Sequence, residues 1–300
     1  MARVALVGLG VIAKSYKSGL TSSKALKLVA VCDVCENAPS RQFYSNYPFY
    51  KDYKEMIDRE KPDYIIIATP PKTHLDITAY ANTKGIGVFL EKPAVVNKNE
   101  LLALNLLPNA EQAPVLPMLH WMHSAEVLEF CRLYDKKLIS EIKVSIKDPY
   151  SADGITIKPD RQGLMGCWLD SGVNVLAYLM MLLPFNNVKI LEKTSLLCEN
   201  TNLPLFFDVK MLVDDIPVQI IIDWREEIEC KESVIGYDGR NILLRHSKQE
   251  LVDHHNVISL YEQDRLSQHY QHLFSDPFKS KDTIHLYKLY DMLFEIGEEL

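Results

Sequence analysis

The 300-residue sequence predicts an α/β fold in its first part, followed by an α+β part with a largely antiparallel open sheet. Three observations carry this. Short apolar runs alternate with helical patterns up to about residue 120, as parallel strands joined by crossover helices do. A glycine-rich turn, Gly8-Leu9-Gly10-Val11-Ile12-Ala13, stands between the first apolar run and the first helical stretch. From Val188 to His246 strand-like runs succeed one another across turn signals without a long helix, which indicates antiparallel pairing.

Arg3 to Gly8 is a continuous apolar run, suited to a strand buried on both faces. A helix follows to about Leu20, and Leu26 to Cys32 forms the next strand, ending at Asp33. Tyr53 to Glu60 reads as a helix, Asp63 to Ala68 as a strand, and Thr73 to Lys84 as a helix stopped by Gly85. Gly87 to Leu90 is a strand, Asn97 to Leu107 a helix and Pro114 to Leu119 a further strand. Beyond His120 the texture changes: a helix from about Ser124 to Tyr134, a strand near Glu141 to Lys147, and a loop from Asp148 to Met165. An apolar helix from Gly172 to Leu183 ends at Pro184. The strands after Val188 are separated by turns such as Asp214-Asp215 and Asp238-Gly239. Helices at about Leu260 to Leu273 and Thr283 to Leu300 close the chain. The change of pattern divides the sequence into residues 1–120 and 121–300, with the C-terminal helix expected to pack back on the first domain.

A formal net charge of -7, with no run of lysine and arginine, gives no reason to expect a nucleic-acid partner. The longest late apolar stretch, Val173 to Phe185, falls short of the ~20 residues of a membrane span. The N-terminal apolar run is too short for a signal-peptide core. Six scattered cysteines read as reduced thiols, so a cytoplasmic protein without a membrane partner is expected. Cys32-x-x-Cys35 lacks the second pair or the helix start that a zinc or redox site needs. His120 and His123 have no third ligand at a recognisable spacing, so no metal is expected. His269 and His272 read as a helix face, and Asp223-Trp224-Arg225 as a structural ion pair.

Gly8-x-Gly10-x-x-Ala13 follows a strand and opens a helix, with Asp33 about 20 residues on at the next strand's end. Together these features make residues 1–120 a dinucleotide-binding Rossmann domain. Gly8 permits the tight turn, Gly10 leaves room for a pyrophosphate, and Ala13 lets helix and strand pack closely. The helix start at Val11 and Ile12 offers free N–H groups to the phosphates. Asp33 would accept hydrogen bonds from ribose hydroxyls and repel a 2′-phosphate, so NAD is the expected cofactor. Arg41 keeps NADP as the alternative.

Ligands of an open α/β sheet bind beyond the carboxyl ends of the strands. Thr69-Pro70 and Glu91-Lys92-Pro93 both stand at such ends. A lysine beside the positively charged nicotinamide would have its pKa lowered and could polarise or deprotonate a substrate hydroxyl. Thr69-Pro70-Pro71-x-x-His74 followed by Glu91-Lys92-Pro93, at this distance from the glycine turn, resembles the glucose-fructose oxidoreductase / inositol dehydrogenase / rhizopine-catabolism (Gfo/Idh/MocA) family. The resemblance covers residues 1 to about 120, resumes at Gly166 to Leu176, and is architectural elsewhere. It implies a catalytic role for Lys92 and places Thr69, Pro70, His74, Glu91 and Lys92 at the cofactor.

The resemblance also implies a catalytic Asp170 within Trp168-Leu169-Asp170-Ser171-Gly172-Val173-Asn174. Four residues later the family usually has histidine, and here Asn174 stands instead. Asparagine can orient a hydroxyl but cannot carry the proton, which falls to Asp170 or Lys92. This version is similar to the galactose/arabinose 1-dehydrogenase branch, as is His120-Trp121-Met122-His123-Ser124. In that branch Asp148 occupies an acidic sugar-contacting position, whereas the histidine expected a few residues on is absent from Ser151-Ala152-Asp153-Gly154. Trp168 reads equally as a platform for a sugar ring or as core.

The resulting expectation is an NAD(P)-dependent dehydrogenase acting on a sugar or polyol C–OH, specifically an aldose 1-dehydrogenase giving a lactone. Lys92, Asp170 and Asn174 would be catalytic, with His120, Asp148 and Trp168 joining them around the substrate. A homodimer or homotetramer through the C-terminal sheet is expected. Two other functions suit the same sequence: reduction of another carbonyl, of dihydrodiol or amino-sugar type, and non-catalytic NAD(P) sensing.

Overall fold

The computed structural model describes residues 1–109, 112–254, 256–259, 264–278 and 286–298. The chain divides into two compact units, one of Met1–His120 with Leu266–Asp291, the other of Trp121–Arg265 with Met292–Leu300. No single cut therefore separates them, because the chain returns to the first unit after leaving it.

The first unit is a six-stranded parallel sheet of order β3-β2-β1-β4-β5-β6. Its strands are β1 (Ala2–Val7), β2 (Leu26–Cys32), β3 (Phe49–Tyr50), β4 (Tyr64–Ile67), β5 (Gly87–Glu91) and β6 (Val115–Met118). The central strands are apolar on both faces, as a sheet covered on both sides requires. Only β3, two residues long, carries no sequence signal. The glycine turn leads into a 3₁₀ turn, Val11–Ser15, and only then into helix α1 (Tyr16–Ser22), where an uninterrupted helix is expected. Helix α2 (Tyr53–Glu60) starts at Asp52, whose carboxylate accepts from the N–H groups of Lys54 and Glu55. Helix α3 (His74–Thr83) ends just before Gly85, and α4 (Lys98–Asn105) is capped by Asn97.

The return segment belongs here because its apolar face completes this core. In α7 (Arg265–Ser275), Tyr270, Leu273 and Phe274 pack with Tyr16 and Leu20, and the Tyr270 ring meets Tyr16 edge-on at 4.6 Å. The Ser23 hydroxyl donates to the Phe274 carbonyl at 2.6 Å. The helices expected at about Leu260 to Leu273 and Thr283 to Leu300 are found as α7, which runs on to Ser275, and α8 (Leu286–Gly297); Asp264 and Glu298 are not helical, and residues 260–263, 283–285 and 299–300 lie outside the described residues.

The second unit carries an eight-stranded sheet of order β14-β13-β12-β11-β7-β10-β9-β8. These are β7 (Ile139–Lys147), β8 (Val188–Leu197), β9 (Pro204–Val213), β10 (Ile216–Asp223), β11 (Cys230–Tyr237), β12 (Arg240–Arg245), β13 (Glu250–Asp253) and β14 (Asn256–Ser259). All neighbours are antiparallel except β7 and β10, which run parallel. Helix α5 (Ala125–Leu133) precedes β7. A π-helical turn, Trp168–Gly172, runs into α6 (Val173–Leu182), so this helix begins one turn earlier than its apolar pattern suggests. Among the described residues no helix is long and apolar enough to cross a membrane.

A buried polar chain ties α5, α6 and the sheet together. Glu126 Oε1 lies 2.8 Å from His246 Nδ1, His246 Nε2 lies 2.8 Å from Ser233 Oγ, and Ser233 Oγ lies 2.6 Å from Tyr178 OH. A carboxylate only accepts, so His246 Nδ1 donates to Glu126, and Ser233 Oγ stands between His246 Nε2 and the Tyr178 hydroxyl. The order resembles that of a hydrolytic triad, but Ser233 and Glu126 have no exposed surface for a substrate to reach. The chain is structural. Ser233→Ala leaves His246 and Tyr178 without their common partner. It should lower unfolding stability by about 1–3 kcal/mol, read in thermal or urea denaturation, with nucleotide binding intact.

Candidate active site

Three loops leave the carboxyl ends of neighbouring strands in the first unit: the glycine turn after β1, Thr69-Pro70 after β4, and Lys92-Pro93 after β5. Gly8 has φ of +98°, and a Cβ there would stand 2.6 Å from the Ala68 carbonyl carbon and oxygen. Both backbone and space therefore demand glycine. Gly10 differs. Its φ of -65° and ψ of -174° suit any residue, and a Cβ there would meet no protein atom within 4 Å. The protein's own packing does not require glycine at this position, whereas close approach of a phosphate would. Ala13 is buried in the core behind the turn.

Asp33 stands at the end of β2 with its carboxylate already oriented. Oδ2 accepts from the Leu9 N–H at 2.7 Å and Oδ1 from the Cys35 N–H at 2.8 Å. A carboxylate has about four acceptor positions, which leaves capacity for two ribose hydroxyls. Val11 is exposed and Ile12 partly so, both at the start of the 3₁₀ turn. These residues fit a dinucleotide. Arg41, the candidate for a 2′-phosphate, donates to the Tyr44 carbonyl and lies over the Phe49 ring. Burial, then the Asp33 charge, push the Cys32 thiol up to about 12, which removes the thiolate a redox or zinc role needs.

Two residues expected at the cofactor have protein partners that tie the strand ends together. His74 is 1% exposed, and both ring nitrogens face main-chain oxygens, Nδ1 at 3.0 Å from Pro93 and Nε2 at 2.8 Å from Thr69. It clamps the loop after β4 to the loop after β5. Burial pushes its pKa below the ordinary histidine value while the two carbonyls pull it up. Glu91 is buried too. Its Oε1 accepts from Tyr16 OH at 2.8 Å and from Tyr270 OH, and its Oε2 accepts from the Lys92 N–H at 2.7 Å. Burial raises its carboxyl above the ordinary range, opposed by the Tyr270 hydrogen bond and the Lys92 charge. Lys92, half-buried, is joined to Pro93 by a cis peptide bond and rests on this anchor. His120 is also in the first unit, its Nδ1 3.0 Å from His269 Nδ1 with the rings stacked.

Asp148, Trp168, Asp170 and Asn174 lie in the second unit. Asp170 sits on the π-helical turn and Asn174 one turn later on α6, both buried. Their spacing of four keeps them on one side of the helix. Trp168 is a core residue and offers no platform for a sugar. Its ring stacks on Phe207 at 4.2 Å, Nε1 donates to the Leu293 carbonyl, and a Cβ on Gly172 would stand 2.7 Å from the ring. Asp223 and Arg225 form the expected ion pair at 2.6 Å.

Asp148, directly after β7, pairs with Lys231 of β11: Nζ to Oδ1 is 2.7 Å, with side-chain exposures of 9% and 1%. Lys231 is absent from any sequence reading of the site. A signal existed: alternation puts Lys231, Ser233 and Ile235 on the buried face of β11, and two polar residues on such a face need an explanation. Tyr16 and Tyr270, the partners of Glu91, carry no comparable signal. Among the described residues no cluster of three or more metal-ligating side chains occurs.

The two glycines separate packing from ligand approach. Gly8→Ala should destabilise the fold by at least about 1–3 kcal/mol, the strain of its backbone conformation alone. Gly10→Ala should leave the melting temperature unchanged and raise the Kd for NAD by roughly tenfold or more, about 1.4 kcal/mol, in calorimetric titration. Equal binding by Gly10→Ala and the parent would remove the pyrophosphate from this turn.

Residues 2–115 match an oxidoreductase family described by its NAD-binding Rossmann fold. The chain is 31% identical over 101 residues to the D-glucoside 3-dehydrogenase of Escherichia coli K12, an alignment covering 33% of this chain and 29% of that protein. It is 28% identical over 98 residues to the rhizopine catabolism protein MocA of Rhizobium meliloti, covering 33% and 31%. The matches thus span about a third of the chain and of these relatives. The fold likeness extends further. The D-galactose-1-dehydrogenase protein from Rhizobium etli superposes with a TM-score of 0.76 at 21% identity, covering 98% of this chain and 94% of that one. Residues 2–115, which hold the glycine turn, Asp33 and Lys92, are similar to the Gfo/Idh/MocA oxidoreductase family and carry its NAD-binding Rossmann fold.

Proposed function

We propose that the chain is an NAD-dependent dehydrogenase of a sugar or polyol C–OH, NADP being the alternative cofactor, and specifically an aldose 1-dehydrogenase giving a lactone. The observation that carries this reading is Lys92, half-buried at a strand end beside the glycine turn's neighbouring strand, its backbone fixed by the buried Glu91 carboxylate. Gly8, Gly10, Val11, Ile12, Asp33, Thr69 and Pro70 hold the dinucleotide. Bound nicotinamide supplies the hydride acceptor. Lys92 and Asp170 take the hydroxyl proton, Asn174 and His120 position the substrate, and Asp148 accepts from its hydroxyls. An anomeric hydroxyl is more acidic than an ordinary alcohol, so C1 oxidation suits a site with asparagine in the usual histidine position. Non-catalytic nucleotide sensing is the second reading, favoured by Asn174 and opposed by the joint presence of Lys92 and Asp170.

A panel of aldoses and polyols with NAD or NADP, followed by nicotinamide absorbance, tests this. Turnover of at least one sugar is expected, with kcat reduced about 10²–10⁴-fold in Lys92→Ala and in Asp170→Asn while nucleotide affinity is retained. Nucleotide binding with no turnover of any sugar, unaltered by Lys92→Ala, leaves only the sensor.

We further propose assembly through the sheet of the second unit and a cytoplasmic location. Ile190, Leu191, Leu196 and Leu197 are exposed along β8, at the sheet edge, which supports self-association. All six cysteines are free, which suits a reducing compartment. Light scattering should give a mass of two or four 34.4 kDa chains; a monomer at micromolar concentration overturns the assembly.

A further inference from the structure

Lys231 is the one buried lysine among the described residues. Burying an ammonium is costly unless a charge compensates it, and Asp148 provides that charge at 2.7 Å. The pair is built by the sheet. Lys231 lies opposite Ile146 in the β7–β11 register, and Asp148 is the second residue beyond Ile146. Both main chains are tied down: the Lys231 N–H donates to Ser247 Oγ, and the Asp148 N–H to the Asp223 carbonyl.

The charges around it explain why a cation is needed. Glu229, just before β11, lies 3.7 Å from Lys231 Nζ and is itself held by Arg265 at 2.9 Å. Asp170, on the π-helical turn, is near enough for its charge to act on Asp148, and the Tyr150 hydroxyl feels both aspartates. Two carboxylates, Asp148 and Glu229, thus lie against one buried lysine, and the charge of a third, Asp170, acts on Asp148. For the buried Asp148 carboxylate, with like charges nearby, a counter-charge favours the ionised form.

We propose that Lys231 is a positioning residue for the reaction: its ammonium holds Asp148 as a fixed, charged acceptor for substrate hydroxyls beside Asp170. The role rests on the dehydrogenase reading above. Lys231 acts through Asp148 and does not touch the substrate. Burial raises the Asp148 carboxyl above its ordinary value, Lys231 pulls it down, and Asp170 and Glu229 push it up. Without Lys231 only the upward influences remain, so Asp148 takes a proton at higher pH and loses its capacity as a pure acceptor.

The test is the pH profile of kcat/KM for a sugar that the parent oxidises, in Lys231→Met, Lys231→Arg, Asp148→Asn and the double variant Lys231→Met/Asp148→Asn. Lys231→Met should move the acid limb upward by a pH unit or more. At a fixed pH on that limb this lowers kcat/KM about tenfold, chiefly through KM. Lys231→Arg should restore the parent profile, and Lys231→Met should add nothing once Asp148 is asparagine. The double variant also removes both charges together, so it reports even where Lys231→Met alone unfolds. An unmoved acid limb in Lys231→Met, or losses that multiply in the double variant, overturn the role of Lys231. A parent that oxidises no sugar overturns the dehydrogenase reading, and this role with it.

Discussion

The first unit depends on a carboxylate that cannot stand alone. Glu91 ends the strand that delivers Lys92, and its side chain is buried where an uncompensated charge would cost several kcal/mol. Three donors compensate it: Tyr16 from the helix behind the glycine turn, Tyr270 from the returning helix α7, and the Lys92 main chain itself. One interaction therefore joins the cofactor turn, the C-terminal return and the lysine assigned to catalysis. The return of α7 is a condition for a satisfied Glu91, and through it for a fixed Lys92. His74 adds a second constraint by clamping Thr69 to Pro93, so the strand-end loops are held by protein atoms before any ligand arrives. Such preorganisation is what positioning catalysis requires.

What the sequence made legible follows from the range of the forces involved. The parallel sheet, the glycine turn and Asp33 are local signals, set by periodicity, backbone conformation and short spacing, and they reappear with small shifts of boundary. The 3₁₀ turn at Val11–Ser15 and the π-helical turn at Trp168–Gly172 were not legible, because both depend on what the helix start packs against. In the second case that is Trp168, seated on Gly172 and stacked on Phe207 from a distant strand. Strands β13 and β14 lie beyond the run that turn signals marked, and β3 is too short to show a pattern.

Residue roles were less legible than residue positions. His74 and Glu91 were expected at the cofactor because they stand in motifs beside it, yet their polar atoms are engaged by the protein. A motif records that a residue is needed, without distinguishing contact from support. Partners far apart in sequence were invisible: Glu91 with Tyr270, Glu126 with His246, Asp148 with Lys231. Each is a buried polar group satisfied across long chain separation, where periodicity carries no information. The alternation of β11 comes nearest to an exception, since it places Lys231 and Ser233 on a face that should be apolar.

The substitution of asparagine at 174 constrains the proposed chemistry more than any other single residue. A histidine there would titrate near neutral pH and could pass a proton onward; an amide cannot. Under the proposed reaction, the base is then an aspartate or a lysine, each far from neutrality in its ordinary state. A weakly basic carboxylate removes protons efficiently only from an acidic hydroxyl, and among sugar hydroxyls the anomeric one is the most acidic. A lysine serves only where a neighbouring positive charge depresses it, as an oxidised nicotinamide would. Only the carboxylate route selects the anomeric carbon; the lysine route serves any hydroxyl. Within the proposed reaction, Asn174 thus favours C1 where an aspartate is the base, and the choice among aldoses would then fall to the groups proposed to accept substrate hydroxyls, Asp148 among them.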